Sequence, residues 1–164
     1  RTGIDNVETD FFCIFNADGS FNPIYLSTMY NMLCENDMDF VFCSRYEKNG
    51  GSDDDTFLTY TGNRIFTFLC KLLFKLRITD VLFTYVMGRS KKFKVLDLKS
   101  DDFTFCVEFP IKAKFNNFLL SSIPSYERSR IAGIKKVSEF KDGFLILISI
   151  FKFIVTKKWK KKLH

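Results

Sequence analysis

Apolar and polar positions along the chain predict an alternation of strands and helices. Residues 10–15 and 39–43 are short apolar runs, as in strands that are buried on both faces. Between them, Asn22 and Pro23 are residues preferred at the start of a helix, and they predict a helix over residues 24–36. The order strand, helix, strand predicts a βαβ unit and therefore a parallel sheet with a right-handed crossover.

The rest of the chain continues this α/β pattern over a length typical of one domain, 164 residues. A helix is predicted over residues 58–75, and residues 78–89 form an irregular segment that contains a strand. A further helix is predicted over residues 103–115, in which Pro110 bends the axis or marks a later start. A strand over residues 118–123 and a last helix over residues 138–155 follow it.

Positive charge is concentrated at one end of the chain. Residues 157–162 hold five lysines, against a net charge of +6 for the whole chain. The remainder is therefore nearly neutral, which argues against a basic surface for nucleic acid. The lysines and Trp159 follow an apolar run, residues 144–151, that is too short to span a bilayer. Two interpretations stay open: a helix on an anionic membrane surface, and a helix packed on the domain with a solvated tail.

The cysteines and the histidine argue against several kinds of site. The five cysteines form no CxxC pair, and most lie within apolar runs, which predicts buried free thiols in a reducing compartment. The single histidine is the last residue, His164. Its position argues against a Ser-His-Asp or Cys-His enzyme and against a zinc site built from histidines.

Charged residues follow the two predicted N-terminal strands. Asp18, which precedes Gly19, comes after the first strand, and Arg45 comes after the second. Because open α/β sheets bind ligands outside the carboxyl ends of their strands, both are placed for a phosphate or a hard cation. Taken alone, an aspartate before a glycine, such as Asp18, is more commonly a turn residue than a metal ligand. Taken alone, Asp80 is explained as a helix cap.

Two charged loops each admit two interpretations. Residues 49–55 end in three aspartates, which is typical of a metal site or, more commonly, of a solvated and mobile loop. Residues 128–136 form a basic loop that contains Arg130 and Lys136. Such a loop suits a phosphate-bearing ligand or is simply solvated.

Five segments carry a resemblance to a known family. Residues 15–20 read FNADGS, 39–46 DFVFCSRY, 62–80 GNRIFTFLCKLLFKLRITD, 126–137 YERSRIAGIKKV and 141–151 KDGFLILISIF. In this order they resemble the Asp-x-Asp segment, the Ser-Arg-Tyr strand, the Thr-Asp helix, the Arg-x-x-Gly-x-Ser-Lys loop and the following helix of family 2 glycosyltransferases. The resemblance is to the members similar to dolichol-phosphate mannose synthase, and it covers nearly the whole chain.

The resemblance implies roles for individual residues. Asp18 is implied to bind a divalent cation, Mg²⁺ or Mn²⁺, with Asn16 at the position where the family usually has its first aspartate. Asp80 is implied as the catalytic residue, which positions or deprotonates the acceptor. The residues implied to bind the diphosphate or an acceptor phosphate are Arg45, Arg130 and Lys136. After Asp80 the chain departs from the Ser-Gly-Phe-Arg-like stretch of the family, which bears on the type of acceptor.

The resemblance also implies a fold and a function. The fold is a GT-A-like, mostly parallel sheet flanked by helices, with the family's first strand upstream of Arg1. Residues 1–137 are a partial catalytic domain, and residues 138–164 are a C-terminal apolar helix with a polybasic tail. The function is an inverting transfer of a sugar from a nucleotide-sugar donor to a polyprenyl-phosphate or glycan acceptor, at the cytoplasmic face of a membrane. The alternative is a non-catalytic remnant or membrane-docking module of the same fold.

Overall fold

The computed structural model of the chain describes residue 3 and residues 6–133 and 138–162, with side chains up to residue 155. It is an α/β protein, as predicted. The helices are α1 (Tyr25–Glu35), α2 (Phe57–Phe74), α3 (Ser90–Val95), α4 (Phe105–Phe115) and α5 (Glu139–Lys162), and the strands are β1 (Phe11–Ile14), β2 (Phe40–Ser44), β3 (Gly51–Ser52), β4 (Val86–Arg89), β5 (Leu120–Pro124) and β6 (Tyr126–Glu127).

The main sheet has the strand order β1-β4-β2-β5. Strand β2 pairs with β5 in parallel, whereas β4 is antiparallel to both of its neighbours. The prediction of a mostly parallel sheet is therefore corrected to a mixed sheet. Strands β1 and β2 do run in the same direction, but β4 lies between them. Gly88 makes this insertion feasible, since a Cβ at that position would lie 2.1 Å from the ring of Phe40.

The predicted helices over residues 24–36, 58–75 and 103–115 agree with α1, α2 and α4 to within two residues at each end. Helix α2 begins at a capping box, in which Thr56 and Thr59 each accept a hydrogen bond from the other's backbone N–H. It ends at Lys75, which adopts a left-handed conformation with φ of 57°. The short elements α3, β3 and β6 were not predicted.

Apolar side chains cover both faces of the sheet. Along β2, Phe40 and Phe42 point into a core shared with α2, α4 and α5, while Val41 and Cys43 point into a second core against α1. This alternation explains why β2 reads as a continuous apolar run, as predicted for a strand buried on both faces. The sheet therefore forms the middle of three layers, and the carboxyl ends of β1 and β2 remain at its rim.

Helix α5 packs on the domain and extends beyond its predicted end at residue 155. Ile146 and Ile150 are buried in the same core as Phe109 of α4. Within the described residues, no helix combines the length and the apolar character needed to cross a bilayer. The division of the chain at residue 137 stays a prediction.

All five cysteines are free thiols, and Cys43, Cys70 and Cys106 are buried, as expected. Burial raises the pKa of each of these three thiols to about 12. They are therefore protonated core residues at neutral pH, not nucleophiles.

Candidate functional site

The turn after β1 is built around the carboxylate of Asp18. Its Oδ1 accepts hydrogen bonds from the backbone N–H of Ser20 at 3.0 Å and from the Ser20 hydroxyl at 2.7 Å. Gly19, between them, has φ of +83°, a conformation that favours glycine. Among the described residues, Oδ2 of Asp18 accepts no hydrogen bond, so this oxygen is available to a ligand.

The loop after β6 lies directly on this turn. The N–H of Ile131 donates to the carbonyl of Asp18 at 2.9 Å, and the N–H of Arg128 donates to the carbonyl of Ser20 at 3.0 Å. The approach is so close that a Cβ on Gly19 would lie 2.6 Å from the side chain of Ile131. The turn and the loop, more than 100 residues apart in sequence, are thus held as one unit by backbone hydrogen bonds.

Arg130 joins two carboxylates in what we call the open cluster, Asp18, Asp54 and Arg130. Its Nη2 donates to Oδ2 of Asp54 at 3.1 Å, and its Nε lies 3.8 Å from Oδ2 of Asp18. Within the described part of the chain, Nε is buried and has no hydrogen-bond partner. The side chains of Asp18, Asp54 and Arg130 are 23%, 29% and 25% exposed, so a ligand can reach them.

The charge of Asp18 is maintained by these contacts. Partial burial raises the pKa of Asp18, but the hydrogen bonds from Ser20 and the charge of Arg130 outweigh it. Together they hold the pKa below its ordinary value of 3.8. Asp18 is therefore an anion throughout the neutral and mildly acidic range.

The open cluster lies at the edge of a large cleft, of about 1210 Å³. Apolar side chains such as Phe12, Ile14 and Phe105 line one part of it, and Asn16, Asp18 and Arg130 supply polar groups. The cleft is larger than the usual range for small-molecule sites, about 300–1,000 Å³. An apolar surface with a few converging polar groups is the usual composition of a ligand site.

One wall of this cleft is the segment 97–103, which Glu108 of α4 holds in place. Oε1 and Oε2 of Glu108 accept hydrogen bonds from the N–H groups of Lys99 and Ser100 at 2.9 and 2.7 Å. Lys112 forms an ion pair with the same carboxylate at 2.7 Å. Burial raises the pKa of Glu108, but these donors hold it below its ordinary value of 4.5. The wall is thus fixed by an ionised, buried side chain.

A second group of charges, here called the sealed cluster, surrounds Arg45 at the end of β2. Its guanidinium donates to both oxygens of Asp80, at 2.7 and 3.1 Å, and to Glu127 at 3.2 Å and Asp55 at 3.4 Å. The side chains of Arg45 and Asp80 are 8% and 0% exposed. Burial alone lowers the pKa of Arg45, but the charge and hydrogen bonds of Asp80 raise it above its ordinary value.

Asp80, the predicted catalytic residue, is therefore fully engaged. Both of its oxygens accept hydrogen bonds from Arg45, and its carboxylate is inaccessible to solvent. The two halves of this pair depend on each other, because a buried charge without its partner is strongly unfavourable. In this conformation the pair positions the chain between β2 and the segment before β4.

The three aspartates of the loop 49–55 each contact a different part of the molecule. Asp53 accepts a hydrogen bond from the Tyr126 hydroxyl, Asp54 belongs to the open cluster, and Asp55 accepts a hydrogen bond from the Tyr46 hydroxyl at 2.7 Å. Strands β3 and β6 pair in parallel and attach the loop to the chain just before Arg130. The loop thus connects the two clusters, and its three aspartates contact side chains of other segments.

The donor set at the end of β1 fits a cation shared with a ligand. The described residues contain no group of three or more His, Cys, Asp or Glu side chains that could hold a metal ion. Asp18 and Asn16 offer one carboxylate and one amide oxygen beside the cleft. Mg²⁺ commonly binds through one or two carboxylates together with substrate phosphates and water. The residues therefore fit a cation that arrives with a diphosphate, not one caged by the protein.

The structure brings the predicted residues into two groups. Asp18 and Arg130 lie together, with Asn16 on the same cleft, whereas Arg45 and Asp80 form a separate pair. Lys136 lies outside the described residues. Sequence reasoning missed Asp54 and Glu127 as partners of the two arginines. The three aspartates at residues 53–55 were visible as a charged run, but no local pattern indicates which arginine each would meet.

Comparison with known proteins supplies the family. A model of the glycosyl transferase family 2 matches residues 1–97, which is more than half of the chain and includes β1, α1, β2, α2 and β4. No curated protein matches the chain. Members of the family are glycosyltransferases, generally inverting, that bind a nucleotide-sugar donor and an acceptor and commonly use a divalent cation. On the strength of the matched residues, this chain belongs to glycosyl transferase family 2.

Proposed function

We propose that this protein transfers a sugar from a nucleotide-sugar donor to a lipid-phosphate or glycan acceptor, with the donor's diphosphate at the open cluster. The observation that carries the proposal is the meeting of Asp18 and Arg130 at the rim of the sheet, beside a cleft of about 1210 Å³. A carboxylate and a guanidinium at one point can bind a cation and an anion side by side. A diphosphate with its counter-cation presents both charges.

Each residue has a defined part in this proposal. Oδ2 of Asp18, with Asn16 beside it, would hold a Mg²⁺ or Mn²⁺ ion that arrives with the diphosphate. Arg130 would donate to the phosphate oxygens, for which its planar fork is suited. The bound cation would neutralise the charge of the departing nucleoside diphosphate. Lys136, predicted for the same role, follows Arg130 six residues later in the sequence.

The state of Asp80 favours an acceptor that needs no general base. To deprotonate a sugar hydroxyl, Asp80 would have to release a hydrogen bond to Arg45. A lipid phosphate is already anionic and can attack the sugar without prior loss of a proton. We therefore favour a lipid phosphate over a glycan as the acceptor.

The enzymatic proposal is tested by the release of nucleoside diphosphate. Full-length protein is incubated with a panel of sugar nucleotides and a polyprenyl phosphate, with Mg²⁺, with Mn²⁺ and with EDTA. We expect release that depends on the cation and is lost in Asp18→Asn. The matched control is Asp37→Asn, which makes the same change at a side chain that is 90% exposed and pairs with Arg89 on the surface. Absence of release from wild-type protein with every donor contradicts the proposal.

We also propose that the protein lies on an anionic membrane surface. Helix α5 exposes a stripe of apolar side chains, Phe140, Phe144, Phe151 and Val155. Helix α2, which packs against α5 through Phe66 and Gly143, exposes a second stripe, Phe57, Ile65, Phe68 and Leu72. The last turns of α5 carry the five lysines of the chain's end. Apolar stripes beside a lysine-rich helix end suit the headgroup region of an anionic bilayer, at its cytoplasmic face.

Liposome sedimentation tests this location. Binding to vesicles that contain phosphatidylserine as the anionic lipid should fall in Phe140→Ser/Phe144→Ser. It should also fall on removal of residues 157–164. The control pair, Lys91→Ser and Lys94→Ser in α3, lies on exposed positions of another helix. Equal sedimentation of wild-type and double-serine protein would count against the membrane role of α5.

Two observations favour a second candidate, a non-catalytic module of the same fold. Asn16 lacks the charge of the aspartate usual in the family, and Asp80 is sealed by Arg45. In that case the protein should bind vesicles normally and release no nucleoside diphosphate. The two assays above therefore separate the candidates when run on the same preparation.

A further inference from the structure

The acidic loop reaches the open cluster through one side chain, Asp54. Its Oδ2 lies 3.1 Å from Nη2 of Arg130, closer than Asp18, whose Oδ2 lies 3.8 Å from Nε. In the described part of the chain, Nε is buried and makes no hydrogen bond. Arg130 is thus held on one edge by Asp54 and lacks an acceptor on the other.

The backbone fixes Asp54 in this position. Its N–H donates to the Ser52 hydroxyl at 3.1 Å, and the N–H of Asp53 donates to the carbonyl of Glu127 at 2.9 Å. The pairing of β3 with β6 places the loop beside the segment that leads to Arg130. The contact between Asp54 and Arg130 is therefore part of the folded architecture and does not depend on chance approach of two surface side chains.

We infer that Asp54 occupies the place of a phosphate group on Arg130, and that a diphosphate must displace it. This inference rests on the proposed function, and it adds a competitor built into the site. The ion pair is partly exposed and contributes little on its own. Diphosphate oxygens form stronger, charge-assisted and bidentate bonds with a guanidinium, so the exchange is favourable.

Displacement also gives the site selectivity. Once moved aside, Asp54 remains near the ligand and repels it, since the loop is held by its backbone. This repulsion grows with the ligand's charge, so a ligand overcomes it only through the hydrogen bonds that it accepts from Arg130. A diphosphate offers more acceptor oxygens than a phosphate ester. Asp54 therefore favours ligands with many acceptor oxygens, because poorer acceptors do not offset the repulsive element.

Calorimetric titration with inorganic pyrophosphate tests the inference on the full chain, in EDTA so that no cation contributes. Asp54→Asn should bind pyrophosphate about fivefold more tightly than wild type, the order expected from removal of one partly exposed ion pair. Asp53→Asn is the matched control, because it removes the same charge one residue earlier and does not contact Arg130. It should stay within about twofold of wild type. Asp54→Glu, which restores the charge, should return the affinity to that of wild type.

A double-mutant cycle with Arg130→Ala ties the effect to this arginine. In that background Asp54→Asn should no longer differ from its parent. Three outcomes would each overturn the inference. They are an equal gain in pyrophosphate affinity in Asp54→Asn and Asp53→Asn, weaker binding of pyrophosphate by Asp54→Asn, and no binding by any variant. Donor turnover is scored separately. If the protein turns over the donor but Asp54→Asn leaves the affinity for pyrophosphate unchanged, only the inference about Asp54 is contradicted. If the affinities change as expected but no donor is turned over, only the enzymatic proposal is contradicted.

Discussion

The sealed and open clusters are both built from one arginine and several carboxylates, yet they differ in almost every physical respect. Arg45 in the sealed cluster makes hydrogen bonds to three carboxylates and is 8% exposed. Arg130 in the open cluster makes a hydrogen bond to one, Asp54, and is 25% exposed. The loop 49–55 contributes an aspartate to each. Neighbouring residues of one loop thus belong to a buried cluster and to a solvent-accessible one.

The difference follows from access to water. In the sealed cluster, each charge relies on the others for the interactions that solvent would otherwise provide, so the cluster acts as a unit of the fold. In the open cluster, water reaches the charged atoms, so its ion pairs stabilise little and remain exchangeable. An arginine therefore fixes the chain in the sealed cluster, whereas an arginine in the open cluster stays accessible.

The largest expected effect is on the sealed cluster. Arg45→Ala should lower the free energy of unfolding by about 3–5 kcal/mol, because it leaves Asp80 buried without a partner. Urea denaturation monitored by circular dichroism measures this change. The exposed Arg77→Ala is the matched control and should stay within about 0.5 kcal/mol of wild type. A loss below about 1 kcal/mol in Arg45→Ala would break the comparison, since the cluster would then not stabilise the fold.

The turn that presents Asp18 should show the next largest effect. Gly19→Ala should cost about 1–3 kcal/mol, because its φ is +83°, a backbone conformation that alanine rarely adopts. It should also weaken pyrophosphate binding, as Ile131 and Arg130 move together. The control, Gly62→Ala in α2, has open space around its new Cβ and should stabilise by about 0.5–1 kcal/mol. If thermal denaturation finds Gly19→Ala to be more stable than Gly62→Ala, the left-handed conformation assigned to Gly19 is contradicted.

The open cluster should respond in the opposite sense to the sealed one. Arg130→Ala should change the free energy of unfolding by less than about 1 kcal/mol, because its ion pairs are partly exposed. The same variant should lose most of its affinity for pyrophosphate. Urea denaturation and calorimetry on one preparation give both values. Strong destabilisation with unchanged binding would mean that the two clusters do not differ in role.

The smallest expected effect concerns the pH dependence of stability. The pKa of Asp18 is lower in the folded protein than its ordinary value of 3.8. Its interactions therefore stabilise the fold above that value, and the contribution disappears as the pH falls through the lowered pKa. Wild type and Asp18→Asn should differ by a constant amount, under about 1 kcal/mol, from pH 5 to pH 8. The difference should shrink only at more acidic pH, and a difference that varies around neutral pH would contradict this.

Local patterns in the sequence were sufficient for the long elements but not for their arrangement. The bounds of α1, α2 and α4 follow from apolar patterns and, for α1, from Asn22 and Pro23, all of which are local signals. The position of β4 between β1 and β2 depends on Gly88 and Phe40, which are 48 residues apart, and no local pattern reveals it. The same holds for Arg45 and Asp80, whose side chains seemed independent in sequence and are partners in space.

The family motif indicated two residues of the candidate site, whose roles stay predictions, and local patterns missed the residues whose contacts are particular to this chain. Asp18 and Arg130 match positions of a known motif, and the structure places them together. Asp54 lies in a loop whose composition suggested solvent, and its contact with Arg130 arises from the pairing of β3 with β6. A ladder of two residues leaves no recognisable period in a sequence.

That short ladder bears on how the protein can change over evolutionary time. The N–H groups of Gly51 and Asp53 donate to the carbonyls of Ser125 and Glu127, so the loop's path is set by atoms that every residue except proline carries. Substitution of Asp54 would therefore alter the charge beside Arg130 without redirecting the chain. A lineage can change the charge of the open cluster one codon at a time while its scaffold stays constant.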